Sequence, residues 1–438
     1  MLLRKSLKPL LLGIIASLAS ITVHAKQPNI VLILADDMGF ECLSANGCAG
    51  YKTPSLDKLA AQGVRFEHAF ANPKCTQSRV KLMTGLYNLR NYKRFAKLER
   101  NQTTFAHYLK NAGYKTAVAG KWQLGKEIDS PQHFGFESSW LWQHNRPRLR
   151  KDTEHDTRYP NPQLEFNGKA VNFTEGEYGP DVLVNQLTGF IERNQEQPFL
   201  LYYPMLLPHW PFDATPDSAD WNEKSLGSIT KKGPGGVKEQ TAHFQDMVQY
   251  ADKMVGRIVD KLEELNLREN TLIIFVGDNG TDTPIATQCP DILVKGAKGT
   301  LTDAGTRVPL IINWPGVIQP KVNNTRLVEL SDILPTLLDF TGIPIAKDYP
   351  HHGISLKPLL LNDHQQHAQQ PNKSHIQISY KKDTWIRNFD YGVKISGRGK
   401  DTLYEKYNGH YQTQSVQLNK SSTQEKQIFS KLQASLKR

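Results

Sequence analysis

The chain has 438 residues, of which 22% are charged and 39% are hydrophobic, an ordinary composition for a globular protein. This length is too great for one small core and predicts a large α/β domain with a smaller one beside it. Its 54 lysines and arginines outnumber its 43 acidic residues, and the formal charge of +11 favours an anionic substrate or surface. Nucleic acid is not the expected partner, because the sequence carries no helix-turn-helix, zinc-finger or RNA-binding signature.

Residues 1–25 have the pattern of a secretory signal peptide. Basic residues precede a mostly apolar stretch over residues 10–23 that is too short to cross a bilayer comfortably. The sequence Val-His-Ala at residues 23–25 provides small residues around a cleavage site. We therefore predict cleavage after Ala25, a periplasmic or secreted protein, and no stable membrane anchor.

The four cysteines are compatible with disulfides in such an oxidising compartment. Cys42 and Cys48 are close in sequence, and we expect them to close a short loop. How Cys75 and Cys289 pair cannot be read from the sequence. No CxxC motif or Cys/His spacing typical of a zinc site is present.

The first strand is predicted over residues 29–35 (NIVLILA), an unbroken apolar run typical of a strand buried on both faces of a parallel sheet. It ends in Asp36 and Asp37. Two carboxylates at the C-terminal end of a central strand lie where open α/β sheets bind ligands. The alternative is that the Asp-Asp pair only forms a turn or caps a helix.

The next elements lead to Cys75. A helix is predicted over residues 53–60 and a short strand over residues 64–70. Cys75 then precedes a short amphipathic helix that ends at Gly85. The N-terminus of a helix favours an anion, and Arg79 adds a positive charge one turn further on. The alternative is a buried thiol near a surface arginine.

Another strand is predicted over residues 114–119, after a helix over residues 103–112. It places Lys121 and Gln123 at a further strand end, although a solvated lysine is the alternative for Lys121.

Residues 139–151 mix aromatic and basic side chains. Such a mixture suits a sulfated sugar, whose faces stack on aromatic rings and whose esters are negative. We predict a substrate subsite that includes Trp142, His144 and Arg146. The alternative is a mobile basic loop.

Two later strands are also predicted to end at polar residues. One covers residues 198–203 and precedes His209, which stands between prolines and is therefore expected to be a stiff, partly exposed candidate site residue. The alternative is that His209 has only a structural role. The other covers residues 271–276 and ends near Asp278 and Asn279, in a sequence that also suits an ordinary turn. The remaining predicted elements of this region are helices over residues 181–193, 244–265 and 332–338 and a strand over residues 310–314.

The composition divides the chain into four parts. These are the signal peptide (1–25), a catalytic α/β domain (26–360), a polar linker or surface loop (361–374) and a C-terminal subdomain (375–438). The subdomain is predicted to hold antiparallel strands over residues 376–380, 385–388 and 391–395 and a final helix over residues 422–436.

Taken together, the strand ends gather complementary chemistry. The expected metal ligands are hard oxygen donors that suit Ca²⁺ or Mg²⁺ better than zinc: Asp36, Asp37, Asp278 and Asn279. A divalent ion and several cations around Cys75 would stabilise a multiply charged oxyanion. The expected cations are Arg79, Lys121, His209 and Lys298.

In this order and spacing, residues 29–360 resemble the type I sulfatases of the alkaline-phosphatase superfamily. The segments that carry the resemblance are NIVLILADDMG, TPSLDKLAAQGVRF, CTQSRVKLMTG, GKWQLG, PHWPF, FVGDNG and KGTLTDAGTRVP with INWPG. The resemblance implies a large central sheet, mixed but mostly parallel and flanked by helices, with a small C-terminal α+β subdomain. It also implies a sulfuric ester hydrolase that acts on a sulfated carbohydrate or polysaccharide fragment.

The resemblance further implies roles for the site residues. Cys75 corresponds to the residue that sulfatases oxidise to formylglycine, whose hydrate attacks sulfur and whose second hydroxyl then expels sulfate. The four oxygen donors and modified Cys75 would hold Ca²⁺, in preference to Mg²⁺. Arg79 would steady the nucleophile, Lys121 and Lys298 would bind sulfate oxygens, and His209 would protonate the leaving alcohol. The implied partners are the sulfated carbohydrate and a formylglycine-generating or anaerobic sulfatase-maturating enzyme.

Two positions depart from the family pattern. Gln77 stands where Pro or Ala is usual, in the segment by which the maturing enzyme recognises Cys75. Gln123 stands where His is usual; glutamine carries no charge and transfers no proton, but it can hydrogen-bond to sulfate or to the formylglycine hydroxyl. We therefore expect activity to survive, and we include Gln123 among the catalytic residues.

Two other functions fit the same segments. One is a phosphonate or phosphate ester hydrolase on the same scaffold, which turnover of sulfated and phosphorylated aryl esters would distinguish. The other is a non-catalytic module that binds sulfated glycans and keeps Cys75 unmodified, which mass spectrometry across Cys75 would distinguish.

Overall fold

The computed structural model describes residues 27–142, 155–228, 241–323, 325–361, 373–397 and 401–436. The predicted signal peptide, His144, Arg146 and residues 362–372 of the predicted linker lie outside these ranges. None of the helices in the described ranges is long and apolar enough to cross a bilayer.

The strands in chain order are β1 (Asn29–Ala35), β2 (Val64–Phe66), β3 (Ala69–Phe70), β4 (Lys115–Lys121), β5 (Ser138–Trp142), β6 (Gln163–Phe166), β7 (Lys169–Asn172), β8 (Phe199–Pro204), β9 (Thr271–Gly277), β10 (Ala286–Gln288), β11 (Leu293–Lys295), β12 (Leu310–Asn313), β13 (Lys321–Asn323), β14 (Val328–Glu329), β15 (Ile376–Tyr380), β16 (Asp383–Arg387), β17 (Tyr391–Ile395), β18 (Thr402–Tyr407) and β19 (Thr413–Val416). The α-helices are α1 (Pro54–Ala61), α2 (Cys75–Thr84), α3 (Asn88–Asn91), α4 (Phe105–Asn111), α5 (Ser130–His133), α6 (Gly179–Arg193), α7 (Phe244–Glu264), α8 (Asp303–Thr306), α9 (Ile333–Thr341), α10 (Lys357–Leu360) and α11 (Thr423–Ala434).

The central sheet has the strand order β13-β2-β12-β9-β1-β8-β4-β5-β6-β7. Strand β1 is at its centre and pairs in parallel with β8 and β9, while β12 is antiparallel to β9. Every residue of β1, β8 and β9 is buried, as their unbroken apolar runs predict. Because Ala35 is in register with Gly277, the residues that follow β1 and β9 emerge side by side.

Two apolar layers cover the faces of this sheet. Val31 and Ile33 of β1 pack in the layer that holds α6 and α7, whereas Ile30 and Leu32 pack in the layer that holds α2, α4 and α9. Alternate residues of one strand therefore serve opposite layers, as the pleat of a strand requires. The predicted fold, a mixed and mostly parallel sheet between helices, is confirmed.

The C-terminal subdomain is an antiparallel sheet in the order β15-β16-β17-β18-β19. Phe429 and Leu432 of α11 pack on Ile386 and Val393 of that sheet. The predicted strands and final helix are confirmed, and the sheet gains β18 and β19, which were not predicted. The residue limits given above for the four parts of the chain remain predictions.

Three local expectations were wrong. The region predicted as one strand over residues 64–70 is two short strands in different sheets, β2 and β3. The helix that begins at Cys75 is not amphipathic, since all ten of its residues are buried. The loop alternative is wrong for Trp140 and Trp142, which lie in β5 and are each only 5% exposed, whereas the substrate role of Trp142 stays a prediction.

The predicted Cys42–Cys48 pairing is also wrong. Cys48 is bonded to Cys289, 241 residues away, while Cys42 is a buried free thiol whose Sγ lies 3.4 Å from Thr281 Oγ1. A short turn over Phe40–Cys42 buries Cys42 in the core. The following loop instead meets the β10–β11 hairpin, where Ala49 N donates to Gln288 O over 2.7 Å.

Candidate active site

The ends of β1 and β9 bring the predicted oxygen donors together. The backbone N–H of Asp278 donates to Ala35 O over 2.9 Å, and that of Asp37 donates to Asp278 Oδ1 over 3.1 Å. Asn279 Nδ2 donates to Asp37 Oδ1 over 2.8 Å. Asp37 has a left-handed backbone (φ 65°), so the chain bends sharply directly after Asp36.

Cys75 is the first residue of α2, and its Sγ lies 3.6 Å from Asp37 Oδ1. The helix ends at Gly85, whose φ of 67° is the left-handed geometry expected of a glycine stop. Burial, followed by repulsion from Asp278, raises the pKa of the Cys75 thiol well above its ordinary value. The unmodified side chain is therefore a neutral thiol among carboxylates.

Arg79 is fully buried one turn beyond Cys75, which excludes the surface arginine of the alternative interpretation. Its Nη2 lies 3.1 Å from Asp278 Oδ2 and 3.7 Å from Asp36 Oδ1. Its Nη1 donates to the carbonyl oxygen of Lys121 over 2.6 Å. Arg79 thus links the nucleophile helix to both carboxylate strands and to the end of β4.

Two lysines complete the cationic side of the site. Lys121 Nζ lies 2.6 Å from Asp36 Oδ2, and Lys298 Nζ forms an ion pair with Asp37 Oδ2. Burial opposes ionisation of Asp36, but Lys121 and Arg79 outweigh it and hold the pKa at about 2. Burial, followed by repulsion from Asp36, raises the pKa of Asp278 to about 7. Of these two carboxylates, Asp36 is therefore the stronger acid and Asp278 the weaker one.

The donor set fits a hard divalent cation. Within the described ranges, the buried atoms Asp36 Oδ1 and Asn279 Oδ1 have no hydrogen-bond partner. One ligand atom from each of Asp36, Asp37, Cys75 and His209 lies within 4.8 Å of the others. Unpaired oxygens and crowded carboxylates are the environment that Ca²⁺ or Mg²⁺ would satisfy.

His209 lies at the other side of the same cluster. Its Nε2 is 3.6 Å from Asp37 Oδ2, while its Nδ1 lies 2.8 Å from Arg158 Nη1 and also contacts Trp210 O. The Tyr159 hydroxyl contacts the carbonyl oxygens of both Leu206 and His209, at 2.8 and 2.6 Å, and so fixes this turn. Burial, followed by the charge of Lys121, lowers the pKa of His209 well below its ordinary value.

Gln123 is 4% exposed and has a left-handed backbone (φ 55°). Its Oε1 is buried and has no hydrogen-bond partner among the residues that the structure describes. Gln123 and Cys75 line the same cavity of 330 Å³. At the position where the family usually has histidine, this chain therefore has an amide oxygen that can accept a hydrogen bond from a group bound in the cavity.

The cavity also contains residues that the sequence did not indicate: Lys74, Phe95, Asp156, Arg158 and Trp210. Arg158 Nε pairs with Asp156 Oδ1 over 2.7 Å, and its guanidinium lies 4.8 Å from the centre of the Trp142 ring. Trp142, predicted as a substrate residue, does line the cavity, but as a buried strand residue. Asp156 and Arg158 follow no periodic segment, so no pattern marks them; Lys74 was recognisable only by its place before Cys75.

Solved structures share this fold. One, described as Ps i-CgsB in complex with k-i-k-neocarrahexaose, has a TM-score of 0.70 and 24% identity, over 93% of this chain and 91% of that one. Another, BT4656 in complex with its substrate D-glucosamine-2-N,6-O-disulfate, has a TM-score of 0.66 and 20% identity, over 93% of this chain and 96% of that one. At these identities the likeness shows the fold alone.

Sequence comparisons identify the family. The Sulfatase family matches residues 28–343, and the N-sulphoglucosamine sulphohydrolase C-terminal family matches residues 297–396. Arylsulfatase G of Rattus norvegicus is 31% identical over 392 residues, covering 78% of this chain and 70% of the relative. Arylsulfatase A of Homo sapiens is 31% identical over 386 residues, covering 81% and 71%. The chain therefore belongs to the sulfatase family and is a sulfate ester hydrolase.

Proposed function

We propose that this protein hydrolyses a sulfate ester on a sulfated carbohydrate, through a formylglycine made from Cys75 and with a bound Ca²⁺. The observation that carries the proposal is that Cys75, Lys121 and Lys298 line one cavity while the same two lysines pair with the buried oxygen donors Asp36 and Asp37. The overall reaction adds water to the ester and gives the free alcohol, inorganic sulfate and a proton.

The metal ligands would be Asp36, Asp37, Asp278 and Asn279, together with modified Cys75. When bound, the divalent ion stabilises negative charge on the sulfate oxygens as the S–O bond breaks. Mg²⁺ suits the set less well, because it usually keeps several water ligands and only one or two carboxylates, whereas this set offers three carboxylates and an amide, all buried.

The protein's own side chains orient and neutralise the sulfate group. Lys121 and Lys298 bind sulfate oxygens, and Arg79 holds the first turn of α2 in place. The buried Oε1 of Gln123 accepts a hydrogen bond from a hydroxyl at the reacting centre. His209 would give a proton to the departing alcohol oxygen from Nε2, the ring nitrogen closer to the carboxylate cluster. Because burial and Lys121 lower its pKa in the free enzyme, this role requires that the bound anionic substrate offset the charge of Lys121 and let the ring take up a proton.

The lining of the cavity favours a sugar as the substrate. Trp142 and Trp210 provide aromatic surface next to the guanidinium of Arg158, which suits a sugar ring that carries anionic groups. The two solved structures described above have carbohydrate ligands. We also propose a periplasmic or secreted location, since the Cys48–Cys289 disulfide is typical of an oxidising compartment.

Turnover of matched esters tests this proposal. Protein produced with a sulfatase-maturating enzyme and Ca²⁺ is assayed on para-nitrophenyl sulfate and para-nitrophenyl phosphate. We expect sulfate release to exceed phosphate release. The reverse order would favour the phosphate or phosphonate hydrolase, and no release of either would favour the non-catalytic glycan-binding module.

A further inference from the structure

Lys74 is a cation of the active-site cavity that has no acidic partner. Its side chain lines the cavity together with Cys75. Among the described residues no carboxylate lies within ion-pair distance of it, and Asp37 and Asp282 attract it only from further away. The other lining cations are each paired with a buried carboxylate: Lys121 with Asp36, Lys298 with Asp37 and Arg158 with Asp156.

The position of Lys74 makes this lack of a partner costly. Its ammonium group lies against Gly299, where an added Cβ would come within 3.3 Å of Nζ. Lys74 is half-buried there, and Gly299 directly follows Lys298 in the chain. A half-buried ammonium beside a second cation is stabilised when an anion binds to it.

The reacting sulfate already has its own cations. Lys121, Lys298 and Arg79 surround the carboxylate cluster next to Cys75, so Lys74 is free to meet another part of the substrate. A cavity of 330 Å³ has room for a sugar ring as well as its sulfate. At its rim, Phe95 is 53% exposed, and the adjacent Ala96 N donates to Thr76 Oγ1 over 3.1 Å, which ties the rim to α2.

We propose that Lys74 anchors a second anion subsite, which selects substrates with a sulfate or carboxylate close to the ester that is cleaved. This inference rests on the proposed function. The reacting ester lies at Cys75, the sugar ring lies in the cavity on the aromatic surface of Trp142 and Trp210, and the second anion pairs with the Lys74 ammonium. The subsite gives the enzyme a preference for multiply charged saccharides.

Binding to a Cys75→Ala background tests the subsite without turnover. The probes are a neocarrabiose bearing one sulfate, the same disaccharide bearing two, and a monosulfated disaccharide that contains a uronate. We expect the two doubly charged probes to bind about tenfold more tightly than the first, the usual effect of one charge-assisted contact. A preference for only the second sulfate or only the uronate would identify which anion the site takes.

Adding Lys74→Gln should remove this preference, and adding Lys74→Arg should retain most of it. Lys169→Gln, on the distant strand β7, removes the same charge outside the cavity and should leave the preference unchanged. If Lys74→Gln weakens all three probes by the same factor, or if no doubly charged probe is preferred, the subsite does not exist.

Turnover separates this inference from the proposed function. On para-nitrophenyl sulfate, which carries a single anion, Lys74→Gln should lower kcat/KM much less than on a disulfated disaccharide. If the enzyme without substitutions, produced with a maturating enzyme, releases no sulfate from any ester, the proposed hydrolysis is wrong. The binding comparison still decides whether the subsite exists.

Discussion

Replacing Glu329 by Gln should destabilise the protein, because Glu329 is the buried partner of Lys81 in α2, the helix that begins at Cys75. Glu329 is 1% exposed and pairs with Lys81 of α2 and, over 2.9 Å, with Lys373. Lys81 Nζ also donates to Gln377 O of β15 over 3.1 Å. The carboxylate therefore connects α2, which begins at Cys75, to the C-terminal subdomain.

The size of the effect follows from burial and charge. Burial opposes ionisation of Glu329, but Lys373 and Lys81 outweigh it and lower the pKa to about 2 from the ordinary 4.5. That difference corresponds to about 3 kcal/mol of folding free energy. Breaking a buried ion pair costs about 3–5 kcal/mol, and because Asp332 still pairs with Lys373 in the variant, we expect the lower end of this range.

The pH dependence has a definite sign. Because the folded pKa is lowered, the contribution of Glu329 is complete above about pH 4.5 and is lost as the pH falls towards 2. Chemical denaturation at neutral pH should show Glu329→Gln to be about 3 kcal/mol less stable. The variant should also lose less stability than the parent between pH 4.5 and pH 2, a window set by the two pKa values.

Glu264→Gln is the matched control. Glu264 is 61% exposed on α7 and, among the residues that the structure describes, pairs only with Lys261 three residues away, so its loss should cost less than about 0.5 kcal/mol. Equal stabilities of Glu329→Gln and Glu264→Gln at neutral pH, with the same acid dependence as the parent, would refute the reasoning.

Three further predictions concern the site. Asp278→Ala should lose the bound calcium, measured by atomic emission, and lower sulfate release about 10²- to 10³-fold, whereas retained calcium would contradict the ligand assignment. Gln123→Ala should raise KM for aryl sulfate about tenfold by removing a buried hydrogen-bonding group; an unchanged KM and kcat would show that the amide contacts nothing that reacts. Arg158→Met frees His209 Nδ1 from its 2.8 Å contact and should lower kcat at saturating substrate about tenfold more for a sugar sulfate than for para-nitrophenyl sulfate, whose leaving group needs no proton. Because Arg158 also borders the proposed sugar surface, a change confined to KM would show lost binding instead. An equal loss on both esters would contradict a role in proton delivery.

The sequence predicted the centre of the molecule better than its edges. After their first residue, the runs NIVLILA and TLIIFVG contain no polar side chain, because their strands are buried on both faces, and the polar residues after them had to meet at one edge of the sheet. By contrast, β19 is mostly exposed and polar, so its pattern does not differ from that of a loop.

Long-range pairings were also beyond the sequence. The Cys48–Cys289 bond joins residues 241 apart, and proximity in sequence favoured the wrong partner, Cys42. The contact of Arg158 with His209 joins an irregular segment to the turn after β8, and only the folded chain brings them together. The burial of Lys81 in α2 depends in the same way on Glu329, which is 248 residues from it in the sequence.

Mass spectrometry of the peptide that contains residue 75 tests the central claim most directly. In protein produced with a maturating enzyme, the account predicts a peptide that has lost sulfur and carries an aldehyde at Cys75. An unmodified thiol at that position in protein that still releases sulfate from esters would contradict it.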